Sequence, residues 1–156
     1  MLFRSLAAAG EQATNGAARR RLEAWRQLAA YYKGFLGYRK EALAAVQPGD
    51  EYQVNNHKIA VVESDDEVFK YRVAGETKRV DPDKIPGGIV LAIVTEWFDD
   101  NPANHLYLGA YHLAKPEPDR ARAREHLRKA QAGGAEAAAL MTLIDDPVIA
   151  RAEGGE

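Results

Sequence analysis

Two histidines and two tyrosines recur at helical spacing in residues 101–115, which read NPANHLYLGAYHLAK. Histidine nitrogens bind transition metals, so His105 and His112 are the first candidates for a metal site. A helix presents two ligands to one ion when they are three or four residues apart, but these two are seven residues apart. Leu108 and Gly109 occupy the positions where a second ligand is needed. We therefore expect no metal and no other cofactor, and we expect ordinary hydrogen bonds from both imidazoles.

Tyrosines form the second group of candidate binding residues. Tyr107 and Tyr111 are one helical turn apart, and Tyr31 and Tyr38 are two turns apart on another helix. Such rings either cover the flank of a packed helix or form an aromatic strip that contacts a protein or a sugar. Packing is the favoured role of Tyr107 and Tyr111, whereas Tyr31 and Tyr38 are favoured for contact with a longer protein. The possible interaction surface consists of Tyr31, Tyr38, Tyr107, Tyr111, His105 and His112.

The sequence contains no arrangement of residues that indicates catalysis. It has no cysteine, and its two serines, Ser5 and Ser64, lie outside any nucleophile motif. Acidic pairs at Asp65-Asp66, Asp99-Asp100 and Asp145-Asp146 resemble paired carboxylates, but each is placed at a predicted turn or helix end. Aspartate is favoured at such positions because it caps the backbone. We therefore predict no catalytic residues and a protein that is not an enzyme.

Net charge gives no general reason to expect binding to nucleic acid, because the formal charge is −2. A basic segment does follow residue 119, in which Arg120, Arg124 and Arg128 share one helix face. Glu117 and Glu125 dilute that face, so a solvated surface is favoured over a nucleic-acid site. Nor does any apolar run approach the ~20 residues that span a bilayer. We expect no nucleic-acid partner and no membrane span, while the compartment and the oligomeric state stay open.

A long helix over residues 17–47 is predicted to carry Tyr31 and Tyr38. Gly34 and Gly37 interrupt it, which indicates either a kink or a close approach of another chain segment. Pro48 and Gly49 end it. Its apolar stripe follows steps of three and four residues and comprises Leu22, Trp25, Ala29, Tyr32, Leu36, Leu43 and Val46, widened by Leu28, Phe35 and Ala42.

Residues 51–81 change to a period of two, which predicts short antiparallel strands. Apolar and polar residues alternate around three predicted turns, at Asn55-Asn56, Asp65-Asp66 and Gly75-Glu76. Because three or four strands cannot bury one apolar face alone, they must curl into a small barrel or pack against a helix. A β-meander with an SH3-like shape is therefore expected.

Residues 87–146 are predicted to be helical. The run IVLAIVTEWF could be a buried strand, but a helix is favoured because Ile89, Ile93 and Trp97 follow one another at intervals of four. Asn101-Pro102 and Asp119 are typical helix starts, and Gly133-Gly134 is a typical end. We expect Trp25 and Trp97 to be buried. A short helix over residues 135–144 should end this part, and residues 147–156 should form a loose tail.

Residues 106–134 resemble a tetratricopeptide-type helical hairpin. Leu108-Gly109 matches the leucine–glycine pair of that motif, and Ala123, Leu127 and Ala130 match its small–large–small spacing. The motif's tryptophan is absent and only one unit is present, whereas stable arrays need about three. The resemblance therefore implies a hairpin of that shape. Residues 20–150 also resemble a bacterial C-terminal module of uncharacterised function, and such modules close larger chains.

One α+β domain over residues 17–150 is therefore expected, after an N-terminal extension, residues 1–16, that is disordered or non-native. The start MLFRS can be encoded by codons that match a common sequencing adapter, which motivates the second possibility. The favoured function is a non-enzymatic structural or protein-interaction module, the C-terminal part of a larger bacterial protein. Its partner would be another protein or the upstream part of its own chain. The alternative is a small-ligand or carbohydrate-binding domain that uses exposed tyrosines.

Overall fold

The computed structural model describes residues 15–154 and confirms an α+β fold. The described residues group into two compact units where the sequence predicts one domain. We call residues 15–36 with 100–154 the helical unit, and residues 37–99 the sheet unit. The elements are α1 (Gly16–Ala45), β1 (Glu51–Val54), β2 (His57–Ser64), β3 (Phe69–Val73), β4 (Glu76–Val80), a 3₁₀ turn (Pro82–Lys84), α2 (Gly87–Trp97), α3 (Pro102–Ala114), α4 (Arg120–Ala132), α5 (Ala138–Leu143) and α6 (Pro147–Glu153).

Helix α1 confirms the predicted long helix, but its buried side is centred on the residues that were predicted only to widen the apolar stripe. The most deeply buried row consists of Ala24, Leu28, Phe35 and Ala42, which follow steps of four and seven residues. Leu36, expected in the centre of the stripe, is 42% exposed. The prediction gave too little weight to two small alanines, although small side chains let a helix approach its neighbours most closely. The extension predicted over residues 1–16 lies almost wholly outside the described residues.

The sheet is an antiparallel meander with the strand order β1-β2-β3-β4, as predicted. Its first and last turns each use a residue with a left-handed backbone, Asn55 at φ 52° and Ala74 at φ 49°. The third predicted turn shifts by one residue, because Ala74 and Gly75 occupy it. A register shift between Val61 and Glu63 marks a bulge in β2. The SH3-like resemblance stays a prediction.

One face of the sheet is buried, and α2 packs against β1 in the same unit. Contact is close at Gly88, where a Cβ atom would lie 3.2 Å from Cγ1 of Val54. The helix prediction for IVLAIVTEWF is confirmed, since α2 buries two pairs of residues one turn apart on one side. The buried residues of the sheet are Tyr52, Ile59, Val61, Phe69 and Tyr71.

Helices α3 and α4 form an antiparallel hairpin in the helical unit, which we call the helical hairpin. Near the loop, the amide of Asp119 donates to the carbonyl of His112 over 2.8 Å. At the middle, a Cβ atom on Gly109 would lie only 2.7 Å from Cδ2 of Leu127. The glycine therefore permits the close approach of the two helices. The core around the hairpin comprises Ala24, Leu28, Leu106, Ala110, Leu113, Ala123, Leu127, Ala130, Ala137, Leu140, Leu143, Ile144 and Ile149.

Two expectations about the C-terminal helices and the tryptophans are wrong. Residues 147–153 form helix α6 instead of a loose tail, because Asp146 caps the helix and Ile149 is buried in the core. Trp97 is 39% exposed instead of buried, since it is the last residue of α2. Trp25 is partly buried and packs against the core of the helical unit.

Candidate functional site

Three histidines lie together in the helical hairpin. His126 of α4 lies between the two predicted histidines of α3, and its Nδ1 is 3.0 Å from Nδ1 of His105. Its ring centroid is 5.3 Å from that of His105 and 5.5 Å from that of His112. We call this group the histidine stack. Its third member was not predicted, because His126 is distant in sequence and only the register of the hairpin brings it close.

His112 is buried without a hydrogen-bond partner. It is 1% exposed, and among the described residues neither of its ring nitrogens has a partner, contrary to the expectation of ordinary hydrogen bonds. Burial, together with the nearby His126 and Lys115, lowers the pKa of His112 to about 4. Burial likewise lowers the pKa of His126 to about 4. Both rings are therefore neutral at pH 7 and are poorly suited to act as a general base there.

The geometry of the stack does not suit a metal ion. The planes of His112 and His126 are within 8° of parallel, and imidazole lone pairs lie in the ring plane. Two stacked rings therefore cannot both direct a lone pair at an ion between them. Within residues 15–154 there is no group of three or more histidine or carboxylate side chains that could hold a metal ion. Nε2 of His105 instead lies 3.3 Å from the carboxylate of Asp100.

The tyrosines of α3 lie against α1 inside the helical unit. Tyr107 meets Tyr31 edge to face, with ring centroids 5.3 Å apart. Tyr111 stacks on Phe35 at 4.4 Å. A Cβ atom on Gly34 would lie 2.6 Å from the ring of Tyr107, so this glycine marks the close approach that the sequence allowed for. Tyr107 and Tyr111, for which packing was the favoured role, therefore pack against α1. Tyr31, which was favoured for contact with a longer protein, packs with them.

Tyr38 belongs to a different cluster, in the sheet unit. Its ring centroid is 5.9 Å from that of Trp97 and 5.5 Å from that of Phe98. The rings of Trp97 and Phe98 are themselves 5.8 Å apart. We call these three residues the aromatic triad. Because Trp97 is 39% exposed, the triad presents a large apolar ring at the surface. Of these three residues, only Tyr38 belongs to the predicted interaction surface, because the other two rings lie in a segment that was predicted to be a buried helix.

Most cations of the basic helix α4 pair with carboxylates of their own unit, while Arg128 forms no ion pair among the described residues. Arg120 pairs with Glu153 of α6, and Arg124 lies 3.2 Å from Asp145. Lys129 pairs with Glu125 at 2.8 Å on the same helix. Nucleic-acid recognition needs cations that are available to phosphates, and these pairs engage several of the cations of this helix.

Two of the acidic pairs serve as caps, as predicted. Asp65 accepts hydrogen bonds from the amides of Glu67 and Val68, each at 2.8 Å, and these bonds lower its pKa. Asp146 accepts from the amide of Val148 at 3.0 Å and from the guanidinium of Arg21 at 2.7 Å. Burial opposes the ionisation of Asp146, but the bonds from Arg21 and Val148 outweigh it and lower its pKa.

An apolar pocket in the helical unit has a volume of about 90 Å³. Pockets that hold drug-sized ligands measure at least ~300 Å³ and place several polar groups around the ligand. Lys115 is the charged residue of this lining, which otherwise consists of Trp25, Leu28, Leu113, Ala114, Pro116, Pro118, Val148, Ile149 and Ala152. The pocket is therefore large enough for one small apolar group.

Comparisons with protein-family models, with curated proteins and with solved structures find no match for this chain. Among the described residues, no helix is both long enough and apolar enough to cross a membrane.

The geometry brings His105 together with His112 through His126, and Tyr31 together with Tyr107. Tyr38 alone among the predicted residues joins an aromatic cluster that includes an exposed tryptophan.

Proposed function

We propose that this protein is a non-enzymatic protein-interaction module and that the aromatic triad is its contact surface. The observation that carries the proposal is the exposure of Trp97 beside two further rings. The partner is another protein or an upstream segment of the same polypeptide, in the manner of a bacterial C-terminal module.

The chemistry of the triad supports this proposal. Tryptophan and tyrosine are enriched among residues that dominate binding energy, because their large rings bury much area. Mutual ring contacts hold Tyr38, Trp97 and Phe98 in place, so little side-chain entropy is lost when a partner binds. Glu96 and Asp99 are exposed beside the triad in sequence. Polar residues around an apolar centre are typical of protein interfaces.

The ionisable groups support a role other than catalysis. Burial holds His112 and His126 neutral, since the pKa of each is about 4. Burial, together with the charges of Asp50 and Glu96, also raises the pKa of Tyr52 to about 12. Groups that exchange protons during catalysis usually have pKa values near the working pH. These three residues have values well away from neutrality.

Site-specific photo-crosslinking in the cell that makes the protein tests the proposal. Trp97 is replaced by p-benzoylphenylalanine, and Val62 is replaced in a matched control because both side chains are 39% exposed. We expect a discrete adduct from position 97 and none from position 62. If both positions give the same adducts, or position 97 gives none, the triad is not the contact surface.

A substitution adds a quantitative readout. Trp97→Ala should weaken binding to the crosslinked partner by at least about 2 kcal/mol, which is typical of a dominant interface residue. Val62→Ala should leave the affinity unchanged. Circular dichroism of each variant checks that the fold is intact. Equal affinity of the Trp97→Ala variant and the unsubstituted protein would contradict the proposal.

Carbohydrate binding is the second candidate, because a half-exposed tryptophan can also stack on a sugar ring. Tyr31, Tyr107 and Tyr111 give it little support, since they pack on α1 and α3. A thermal-shift panel of mono- and disaccharides separates the two functions. Stabilisation that disappears in the Trp97→Ala variant would favour a sugar ligand over a protein partner.

A further inference from the structure

Strand β4 is an open edge of the sheet. In the strand order it has β3 as its neighbour and ends the sheet on that side. Four of its five residues are exposed. Some of them lie on the same face of the sheet as the buried residues of β3. An edge strand of this kind presents unpaired backbone groups to which another extended chain can bind.

The turn before β4 determines which backbone groups point outward. Ala74 and Gly75 form a two-residue turn with φ of 49° and 84°, as in a type I′ hairpin. Val73 and Glu76 flank this turn as partners. In a two-residue hairpin, the flanking partners form a hydrogen-bonded pair. Because bonded and non-bonded pairs alternate along an antiparallel ladder, the amides and carbonyls of Thr77 and Arg79 face away from β3.

The outward groups lie beside an excess of positive charge. Arg79 is opposite Lys70, and Thr77 is opposite Arg72, so these four side chains share one face. Lys70 pairs with Glu63. Among the described residues, no ion pair forms at Arg72 or Arg79, nor at Lys78 on the other face of β4, although the charge of Arg79 acts on Asp65 and helps to lower the pKa of that carboxyl. The edge thus combines unpaired backbone groups with three exposed cations.

We propose that the free edge of β4 binds an extended acidic peptide segment as an added antiparallel or parallel strand. The peptide backbone would bond to Thr77 and Arg79, as in known strand-addition complexes. Glutamate or aspartate side chains of the peptide, on the face of Arg79, would pair with Arg79 and its neighbour Arg72. This site is separate in sequence from the aromatic triad and does not depend on its function.

A second copy of the chain fits this edge poorly. An antiparallel pair that joins the outward groups of Thr77 to those of Arg79 places Lys78 opposite Lys78 of the other copy. Like charges directly opposite one another destabilise a strand pair. Charge complementarity therefore favours an acidic occupant. The alternative role of these cations is to prevent edge-to-edge aggregation. The binding experiment below distinguishes that role from peptide binding.

The test uses a fluorescein-labelled nine-residue peptide of alternating glutamate and valine with the whole protein, at low salt. Fluorescence anisotropy measures its binding, and a lysine–valine peptide is the charge control. We expect binding of the acidic peptide alone. A version with alternate backbone amides N-methylated on the bonding edge should bind at least about tenfold more weakly. Equal binding of both versions would show mere charge attraction and overturn the proposal.

Two variants locate the site. Arg79→Glu should weaken binding at least about tenfold, whereas Lys40→Glu makes the same charge change on α1 and should have little effect. Thr77→Pro removes one outward amide and should also weaken binding, provided that circular dichroism shows an unchanged fold. If Arg79→Glu binds normally, the peptide binds elsewhere. If the acidic peptide fails to bind, the proposal is wrong. If the double variant Arg72→Ser, Arg79→Ser then aggregates, the cations act only as edge protection.

Discussion

The helical hairpin and the β3–β4 hairpin both carry many cations, but they treat them differently. On α4, Arg120, Arg124 and Lys129 each pair with a carboxylate. On the β-hairpin, Arg72 and Arg79 form no ion pair among the described residues. A basic stretch in sequence is therefore no guide to binding until its carboxylate partners are located. Most cations of the basic segment on α4 form ion pairs, whereas the two arginines of the β-hairpin form none.

The two hairpins also differ in how closely their elements pack. Gly109 lets α3 approach α4 so closely that no methyl group fits without movement of Leu127. The strand β4 has mostly exposed side chains, and a Cβ on its turn residue Gly75 would have no atom within 4 Å. Substitutions in the helical hairpin should therefore change the free energy of unfolding through side-chain packing. Those in the β-hairpin should change it mainly through backbone conformation.

The largest expected effect is at the contact of Gly109 with Leu127. Leu127→Ala should lower the free energy of unfolding by about 3 kcal/mol, because it leaves a cavity in the core. Gly109→Ala should lower it by about 1–3 kcal/mol through overpacking. The double variant should lose less than the sum, since the new methyl group fills part of the cavity. Urea unfolding measures all three, and strictly additive losses would contradict the close contact.

A second prediction concerns pH and the histidine stack. The pKa of His112 is about 4 in the folded chain against an ordinary value of 6.5 for histidine, so the unfolded chain binds more protons between these values. The stabilising contribution is complete above pH 6.5 and is lost as the pH falls towards 4. It amounts to at most about 3 kcal/mol. We expect the free energy of unfolding to fall over this pH range.

The matched variants are His112→Leu in the helical hairpin and His57→Leu on an exposed strand. His112→Leu removes two unpaired buried nitrogens and should raise stability at pH 7 by about 1–3 kcal/mol. It should also weaken the dependence on pH, although His126 keeps a lowered pKa of about 4 and retains part of it. The His57→Leu variant controls for the loss of a histidine at an exposed position. Urea titrations at pH 7, 5.5 and 4.5 give the slopes. If the His112→Leu variant keeps the original slope, the stack is not its cause.

These differences mark the limit of what the sequence predicts. Alternation, proline and glycine determined the strands and the helix ends, because these signals act on neighbouring residues. Ion pairs such as Arg120 with Glu153, and the stacking of His126 on His105, join residues 33 and 21 positions apart. No periodic pattern contains such pairs. Neither pair could therefore be predicted, because each depends on how the helices pack in three dimensions.

Two local errors have physical reasons as well. The polar tail after Asp146 was expected to be loose, yet one buried residue, Ile149, together with a capping aspartate fixes it as α6. Trp97 was expected inside because α2 is apolar, but burial depends on how far the neighbouring elements extend along the helix. Predicting the aromatic triad required the position of the end of α2, which the run IVLAIVTEWF does not contain.

A third prediction compares two glycines on the same helix. Gly34→Ala should lower the free energy of unfolding by about 1–3 kcal/mol, because its Cβ would lie 2.6 Å from the ring of Tyr107. Gly37→Ala meets no atom within 4 Å and should raise it by up to about 1 kcal/mol through helix propensity. Thermal unfolding of both variants measures the difference. Equal shifts would show that Tyr107 moves aside freely.

The smallest expected effect is at the turn of the β-hairpin. Ala74 has φ of 49°, a left-handed conformation that costs an alanine roughly 1 kcal/mol. Ala74→Asn should therefore raise the free energy of unfolding by about 0.5–1 kcal/mol, because Asn-Gly is the preferred pair in this turn.

The reverse change at the first turn is the matched control for this prediction. Asn55 has a similar φ of 52°, and Asn55→Ala should lower the free energy of unfolding by a similar amount. Both changes lie on exposed positions, so packing contributes little to either. Effects of opposite sign would show that backbone conformation governs the contribution of both turns to stability. A loss in both variants would instead mean that side-chain contacts govern it, and the contrast with the helical hairpin would disappear.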